Sequence, residues 1–326
     1  MFNQLRQVTS ALKSIPNHSL TSTLWNQPTT LCRRFLASMR FVQFEESGKS
    51  RVGVEVEAGG DFVDLCGSDQ TIPDTTLKLI EGGADLLQKA HKVVASSDRR
   101  VVKRSDVKLL SPITNPQKVL CIGMNYRDHC TEQNYPIPTE PVIFSKFASA
   151  IIGPNDDVAY PELTEALDWE VELTVVIGKG GKNIKEADAM NHVFGYTVAH
   201  DVSARDWQMQ KNGKQWLLGK TMDDFCPLGP AIVTPDALSD PHKLGLRCRV
   251  NGETMQESNT EQLIFKTASL IQFISQFITL TPGDIILTGT PPGVGVFRKP
   301  DPVYLKRGDV VECEIDEIGT IRNRIV

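Results

Sequence analysis

Residues 168–178 read Asp-Trp-Glu-Val-Glu-Leu-Thr-Val-Val-Ile-Gly. Alternate side chains of a strand share a face. An extended run here therefore puts Asp168, Glu170, Glu172 and Thr174 on one side and Trp169, Val171, Leu173 and Val175 on the other. Three carboxylates in line repel one another, and two arrangements accommodate them. One is a solvated sheet face with ordinary acidic decoration. The other follows from the Val-Val-Ile continuation, which reads as a strand buried on both sides, where clustered carboxylates need a cation. Oxygen ligands without supporting His or Cys select Mg²⁺, Ca²⁺ or Mn²⁺. Either way the run commits this part of the chain to a sheet.

The surrounding pattern is also mostly β. Phe41–Phe44 and Arg51–Val56, with a polar turn over Glu45–Ser50, predict a hairpin. An apolar stripe over Thr75–Ser96, interrupted at Gly82-Gly83, predicts helix, so residues 39–112 form a small α+β unit, and beyond the two-proline segment Leu110–Gln117 β character dominates. Strands are expected at Lys118–Ile122, Trp169–Ile177, Val193–Ala199, Asp284–Leu287 and Val310–Ile315. Asn251-Gly252 joins Arg247–Val250 to Glu253–Gln256 as a second hairpin. The one long helix is expected at Thr267–Leu280, its apolar face Leu270, Phe273, Ile274, Phe277 and Ile278; Asp224–Pro230 reads as rigid loop. Strands outnumber helices and do not alternate with them, which argues against Rossmann and TIM plans. The expected fold class is α+β, mainly β: a mixed β-sandwich or rolled sheet over 113–326 with peripheral helices, preceded by the α+β unit.

The net charge of −5 conceals an asymmetry. Residues 1–44 hold five of the 35 basic residues and none of the 40 acidic ones, so the remainder carries −10. An acid-free, Arg-bearing, Ser/Thr-rich start with Leu5, Val8, Leu12 and Ile15 at helical spacing reads as a mitochondrial transit peptide over 1–38, and implies the matrix. The balance gives no case for nucleic acid, and the longest apolar stretches fall short of the roughly 20 residues of a membrane span. The seven cysteines are scattered without a Cys-x-x-Cys pair, so neither a disulfide framework nor a zinc site is indicated. Cys130 beside His129 reads as a buried small side chain rather than a nucleophile.

Further chemistry-bearing positions lie outside the acidic strand. Asp201 ends the strand at Val193–Ala199, where it is either a metal ligand or a helix N-cap. Arg205 and Gln208 are three apart and share a helical face that could fork a carboxylate. Lys220 follows the apolar run Trp216-Leu217-Leu218, placed for partial desolvation or for snorkelling to solvent. His129 and Glu132, also three apart, make an oriented general base, or His129 is a solvated loop histidine. The glycines at 178–181 and 289–295 lack the lysine and spacing of a phosphate loop and read as turns, with Thr290 a candidate site residue.

Glu-x-Glu at 170–172, His-Asp-x-Ser-Ala-Arg-Asp at 200–206, Gly-Lys-Thr at 219–221 and Leu-Thr-Gly-Thr-Pro-x-Gly-Val-Gly at 287–295 occur in this order. Together they resemble the fumarylacetoacetate hydrolase family along residues 118–326, about two thirds of the chain. The resemblance implies a mixed β-roll, a homodimer, and one divalent cation per subunit held by Glu170, Glu172 and Asp201, Mg²⁺ first and Mn²⁺ or Ca²⁺ as alternatives. It implies Lys220 as active-site lysine, His129 and Glu132 as a lid dyad, and Arg205, Gln208, Lys146 and Thr290 as substrate-side positions. Thr221-Met222 stands where relatives often have Ser-Phe, which keeps the hydroxyl and leaves the aromatic wall open. The implied substrate is a small 2-oxo dicarboxylic acid. Oxaloacetate tautomerisation is the activity expected first. Acylpyruvate hydrolysis or oxaloacetate decarboxylation comes next, and a metal-binding protein with little turnover is the alternative of another class.

Overall fold

The computed structural model describes residues 38–326. The expected transit segment, except for its last residue, lies outside the described residues. The hairpin forms as β1 (Arg40–Glu46) and β2 (Lys49–Glu55) around a tight turn at Ser47 and Gly48, both with positive φ. Two helices follow in place of one, α1 (Thr76–Glu81) and α2 (Gly83–Ala95), because Gly83 at φ +61 breaks the run.

Beyond residue 112 the main strands are β3 (Val119–Gly123), β4 (Val142–Lys146), β5 (Val171–Ile177), β6 (Val193–His200) and β7 (Cys226–Val233). The hairpin at Asn251-Gly252 forms as β8 (Gly245–Val250) and β9 (Glu253–Asn259), and β10 (Ile285–Leu287), β11 (Val310–Ile315) and β12 (Gly319–Arg324) complete the set. The large sheet runs β2, β1, β7, β6, β5, β10, β3, β4, with two short strands at Phe62–Asp64 and Val101–Val102 beyond β2. It is mixed: β10 pairs β3 in parallel, while β5, β6, β7 and β1 pair antiparallel. A four-stranded sheet, β9-β8-β11-β12, packs against β5, β6 and β7. The α+β, mainly β sandwich expected from the sequence is thus the observed fold.

Every residue of β5, β6 and β7 is buried, as strands covered on both faces must be. The N-terminal hairpin is not a separate sheet, because Arg40 and Phe41 of β1 register against Val233 and Ile232 of β7. Burying Phe41 and Phe44 completely stabilises this junction by about 1.5–3 kcal/mol each.

Two expectations are corrected. The stretch read as a rigid loop, Asp224–Pro230, enters β7 at Cys226. Its prolines are tolerated because Pro227 registers against a two-residue strand at Ile151–Ile152 and Pro230 sits at a register shift between β6 and β7. The long helix, α6 (Thr267–Phe277), ends three residues early and buries Leu270, Ile271 and Ile274 while Phe277 is exposed. The helix carries two neighbouring apolar stripes, and a period of 3.6 does not say which of them faces the core. Among the described residues no helix is long and apolar enough to cross a membrane.

Candidate active site

The acidic run does not continue as one strand. The chain pairs briefly at Leu167–Asp168 with Ser203–Ala204, breaks at Trp169 and Glu170, and enters the large sheet at Val171. The break divides the carboxylates. Asp168 leaves the group entirely: Oδ1 accepts from the amides of Trp169 and Gly295, and Oδ2 from the Val296 amide and from Arg205 Nε at 2.7 Å. Glu170 and Glu172 remain together. Asp201 joins them from the end of β6, its amide donating to the Glu170 carbonyl at 2.9 Å. One oxygen from each of Glu170, Glu172 and Asp201 lies within 4.8 Å of the others, and all three residues are buried. Of the two readings of Asp201, the triad position is realised, while the N-cap of α4 (Arg205–Met209) is Ala204.

Three cations surround the triad. Lys220, at the end of the short helix α5 (Leu217–Lys220), places Nζ 2.9 Å from Glu170 Oε2 and 3.0 Å from Asp201 Oδ2, so it is desolvated rather than snorkelling. Arg205 sets Nη2 2.7 Å from Glu170 Oε1 and donates from Nη1 to Gln208 Oε1 at 2.9 Å. Lys146 Nζ lies 2.7 Å from Asp201 Oδ1, outside the angles of a hydrogen bond, and donates to the carbonyls of Val202 and Lys220.

Burial alone would raise the Glu170 carboxyl, but Lys220 and Arg205 hold it below the usual carboxylate range. Glu172 goes the other way: burial first, then Asp201 and Glu170, push it well up. The ammonium form of Lys220 is favoured despite burial, because Asp201 and Glu170 outweigh it. Asp168 and the triad supply four carboxyl groups against three cations, and Glu172, the one that no cation touches, is the one driven toward its neutral form. An all-oxygen donor set, an Asp201 Oδ1 free of aligned hydrogen bonds and a Glu172 carboxyl without a cation fit a hard divalent cation.

Loops and neighbouring strands fix the set. The Gly289 amide donates to Glu172 Oε2 at 2.7 Å, from a backbone at φ +100 that a side chain rarely adopts. Gln256 on β9 accepts from the Val171 amide at 3.0 Å and donates to Thr290 Oγ1 at 2.8 Å. Thr290 Oγ1 in turn donates to the Val171 carbonyl at 3.0 Å. On α3 (Arg127–Glu132), His129 Nδ1 is 3.0 Å from Glu132 Oε2, and Glu132 Oε1 accepts from the Gly293 amide at 3.0 Å. The solvated-loop reading of His129 does not hold, since that residue is 6% exposed.

A cavity of about 90 Å³ opens onto Glu170, Glu172, Lys220, Arg205, Gln208, His129 and Thr290. Lys146 does not line it. The structure sets Lys146 behind the triad, its wholly buried ammonium committed to Asp201 and two carbonyls. Arg205 lines the cavity, but its guanidinium is already engaged by Asp168, Glu170 and Gln208, so it braces Glu170 instead of presenting a free fork. The aromatic wall comes from Phe144 and Trp216, with ring centroids 5.3 Å apart, and from Phe297. Sequence reasoning missed these residues and Gln256; single aromatics and a strand glutamine carry no spacing signal. Cys130 is buried as expected, and burial pushes its thiol up.

Residues 118–326 match the model of the fumarylacetoacetate (FAA) hydrolase C-terminal domain. The chain belongs to the fumarylacetoacetate hydrolase family. Among members of that family, it is 57% identical over 324 residues to the mitochondrial oxaloacetate tautomerase fahd2 of Xenopus laevis, spanning 99% of this chain and 100% of that protein. It is 58% identical over 290 residues to the mitochondrial oxaloacetate tautomerase FAHD2A of Homo sapiens, spanning 88% and 92%. The fold is similar to fumarylacetoacetate hydrolase from Exiguobacterium antarcticum, with TM-score 0.77 and 38% identity over 88% of this chain and 99% of that one. It is also similar to maleylpyruvate hydrolase from Sphingobium sp. SYK-6, with TM-score 0.72, 31% identity and the same coverage.

Proposed function

We propose that this chain is a divalent-metal-dependent oxaloacetate tautomerase, an isomerase that converts enol-oxaloacetate to the keto form. It works in the mitochondrial matrix as a homodimer. The cation is Mg²⁺, with Mn²⁺ and Ca²⁺ suited to the same oxygen set. The observation that carries the reading is Lys220, whose buried ammonium touches two of the three clustered carboxylates and also faces the cavity. Relatives of more than half identity that carry the tautomerase name support it.

A divalent cation held by Glu170, Glu172 and Asp201 supplies Lewis acidity toward the adjacent oxygens of a 2-oxo acid. Lys220 adds a fixed positive charge beside the developing 2-oxyanion, in a site where water is scarce and the charge acts strongly. Two carboxylates hold its ammonium in place at the wall of the cavity. The proton of the enol hydroxyl ends on carbon 3, and Lys220 is the cavity group placed to carry it: it gives one proton to carbon and recovers the one leaving oxygen. Arg205 and Lys146 keep Glu170 and Asp201 in position, and Gln208 and Thr290 line the space for the rest of the substrate. Acylpyruvate hydrolysis is the second reading, favoured by the His129–Glu132 pair, which could activate water.

Following enol absorbance and pyruvate together decides between them. Protein with Mg²⁺ speeds enol decay far beyond the Mg²⁺ control while pyruvate lags, and Lys220→Ala lowers that rate by about 10²-fold or more. Pyruvate forming as fast as the enol disappears replaces tautomerisation with decarboxylation. No enol acceleration together with cleavage of acetylpyruvate replaces it with hydrolysis.

A further inference from the structure

Both ring nitrogens of His129 are held from α3 and the residue that caps its end. Nδ1 is 3.0 Å from Glu132 Oε2, three residues on, and Nε2 is 2.7 Å from Gln133 Nε2, four residues on, as helical spacing allows. A carboxylate only accepts, and the Gly293 amide fixes this one through its other oxygen, so the ring hydrogen belongs on Nδ1. The Nε2 lone pair then accepts from the Gln133 amide. That lone pair is the one an activating base would use. Gln133 faces the same cavity as His129, with its amide also 3.6 Å from Met124 Sδ.

We propose that Gln133 is a specificity-determining residue that occupies the base nitrogen of His129 and thereby withholds the dyad from water. The inference rests on the tautomerase reading and deepens it. In hydrolysis of an acylpyruvate, Nε2 takes a proton from water and the hydroxide adds to the acyl carbonyl carbon. The carbon–carbon bond then breaks with its electron pair left on the pyruvate enolate, and that enolate recovers the proton from Nε2, giving a carboxylic acid and pyruvate. Tautomerisation needs no water, since the enol hydrogen is moved to carbon 3. An amide on Nε2 obstructs the first route at its first step and leaves the second open.

The test uses the full chain with Mg²⁺ and the substitution Gln133→Met, which keeps an unbranched side chain and removes the donor. Acetylpyruvate cleavage and enol-oxaloacetate decay are measured on the same preparation. The ratio of cleavage to tautomerisation rises at least tenfold over the parent, and adding His129→Ala abolishes the gain. A ratio that does not move, or a gain that survives His129→Ala, overturns the proposal. Histidine ¹H–¹⁵N spectra of the unsubstituted protein, with the His129 ring identified by its loss in His129→Ala, give a reading that does not depend on the variant's folding. Hydrogen on Nδ1 with Nε2 as acceptor is expected, and hydrogen on Nε2 overturns the proposal. Failure of the tautomerase reading is separate: it shows as a parent protein that does not speed enol decay, whatever the His129 spectrum reports.

Discussion

Lys146 and Lys220 divide one carboxylate between them: Lys146 Nζ lies 2.7 Å from Asp201 Oδ1, and Lys220 Nζ lies 3.0 Å from Asp201 Oδ2. Only Lys220 reaches the cavity. The two lysines therefore have different jobs, and Lys146 is open to a test by stability alone. Lys146→Met leaves a buried carboxylate oxygen and the carbonyls of Val202 and Lys220 without their cation. The expected loss is about 3–5 kcal/mol in urea unfolding. A loss under about 1 kcal/mol would mean that Asp201 does not depend on Lys146.

Removing one of three oxygen ligands leaves an incomplete shell, so Glu170→Ala and Asp201→Ala each abolish calorimetric binding of Mg²⁺ and Mn²⁺. Asp168→Asn serves as the contrast. It removes a carboxylate from the same run but outside the triad, and it lowers affinity far less. Unchanged affinity in both Ala variants would refute the assignment of these ligands.

His242 provides a pH prediction away from the catalytic centre. Its Nε2 accepts from the Thr267 amide at 3.2 Å, at the start of α6, a bond only the neutral ring can accept. Burial, then Lys266, lower its proton affinity in the fold. A group whose folded pKa is depressed contributes stability above its unfolded value, and that contribution is lost as pH falls toward the folded value. The melting temperature therefore drops between about pH 7 and pH 5, and drops less in His242→Asn, which does not titrate there. Equal slopes would remove His242 as the cause.

A reporter fused to residues 1–44 is expected in mitochondria, because the acid-free, arginine-bearing segment has the composition of a transit peptide. A reporter left in the cytosol would count against that reading and against a matrix location.

The sequence made the strands legible where apolar residues ran unbroken or alternated, as in β5, β6, β8 and β11, because period is a local property. It failed at β7, where two prolines and a glycine mark a loop to any local reading, yet neighbouring strands and a register shift absorb them. The site divides in the same way. Glu170, Glu172, Asp201 and Lys220 sit in motifs, whereas Gln256, Phe144 and Phe297 are brought in by packing between distant segments. Asp168 shows the limit most plainly: alternation assigned it to the ligand face, and a break in the strand two residues long gave it to Arg205 instead.

The pairing of β1 with β7 bears on how such a chain could have been put together. β7 is wholly buried, and its flank toward the N-terminus is closed by Arg40 and Phe41. A segment beginning near residue 113 would bare that flank as a ready template for another molecule's strand. What this segment asks of anything placed ahead of it is first a strand that reaches Val233 and Ile232, and then a helix to cover the turn at Gly283, where Leu77 of α1 lies.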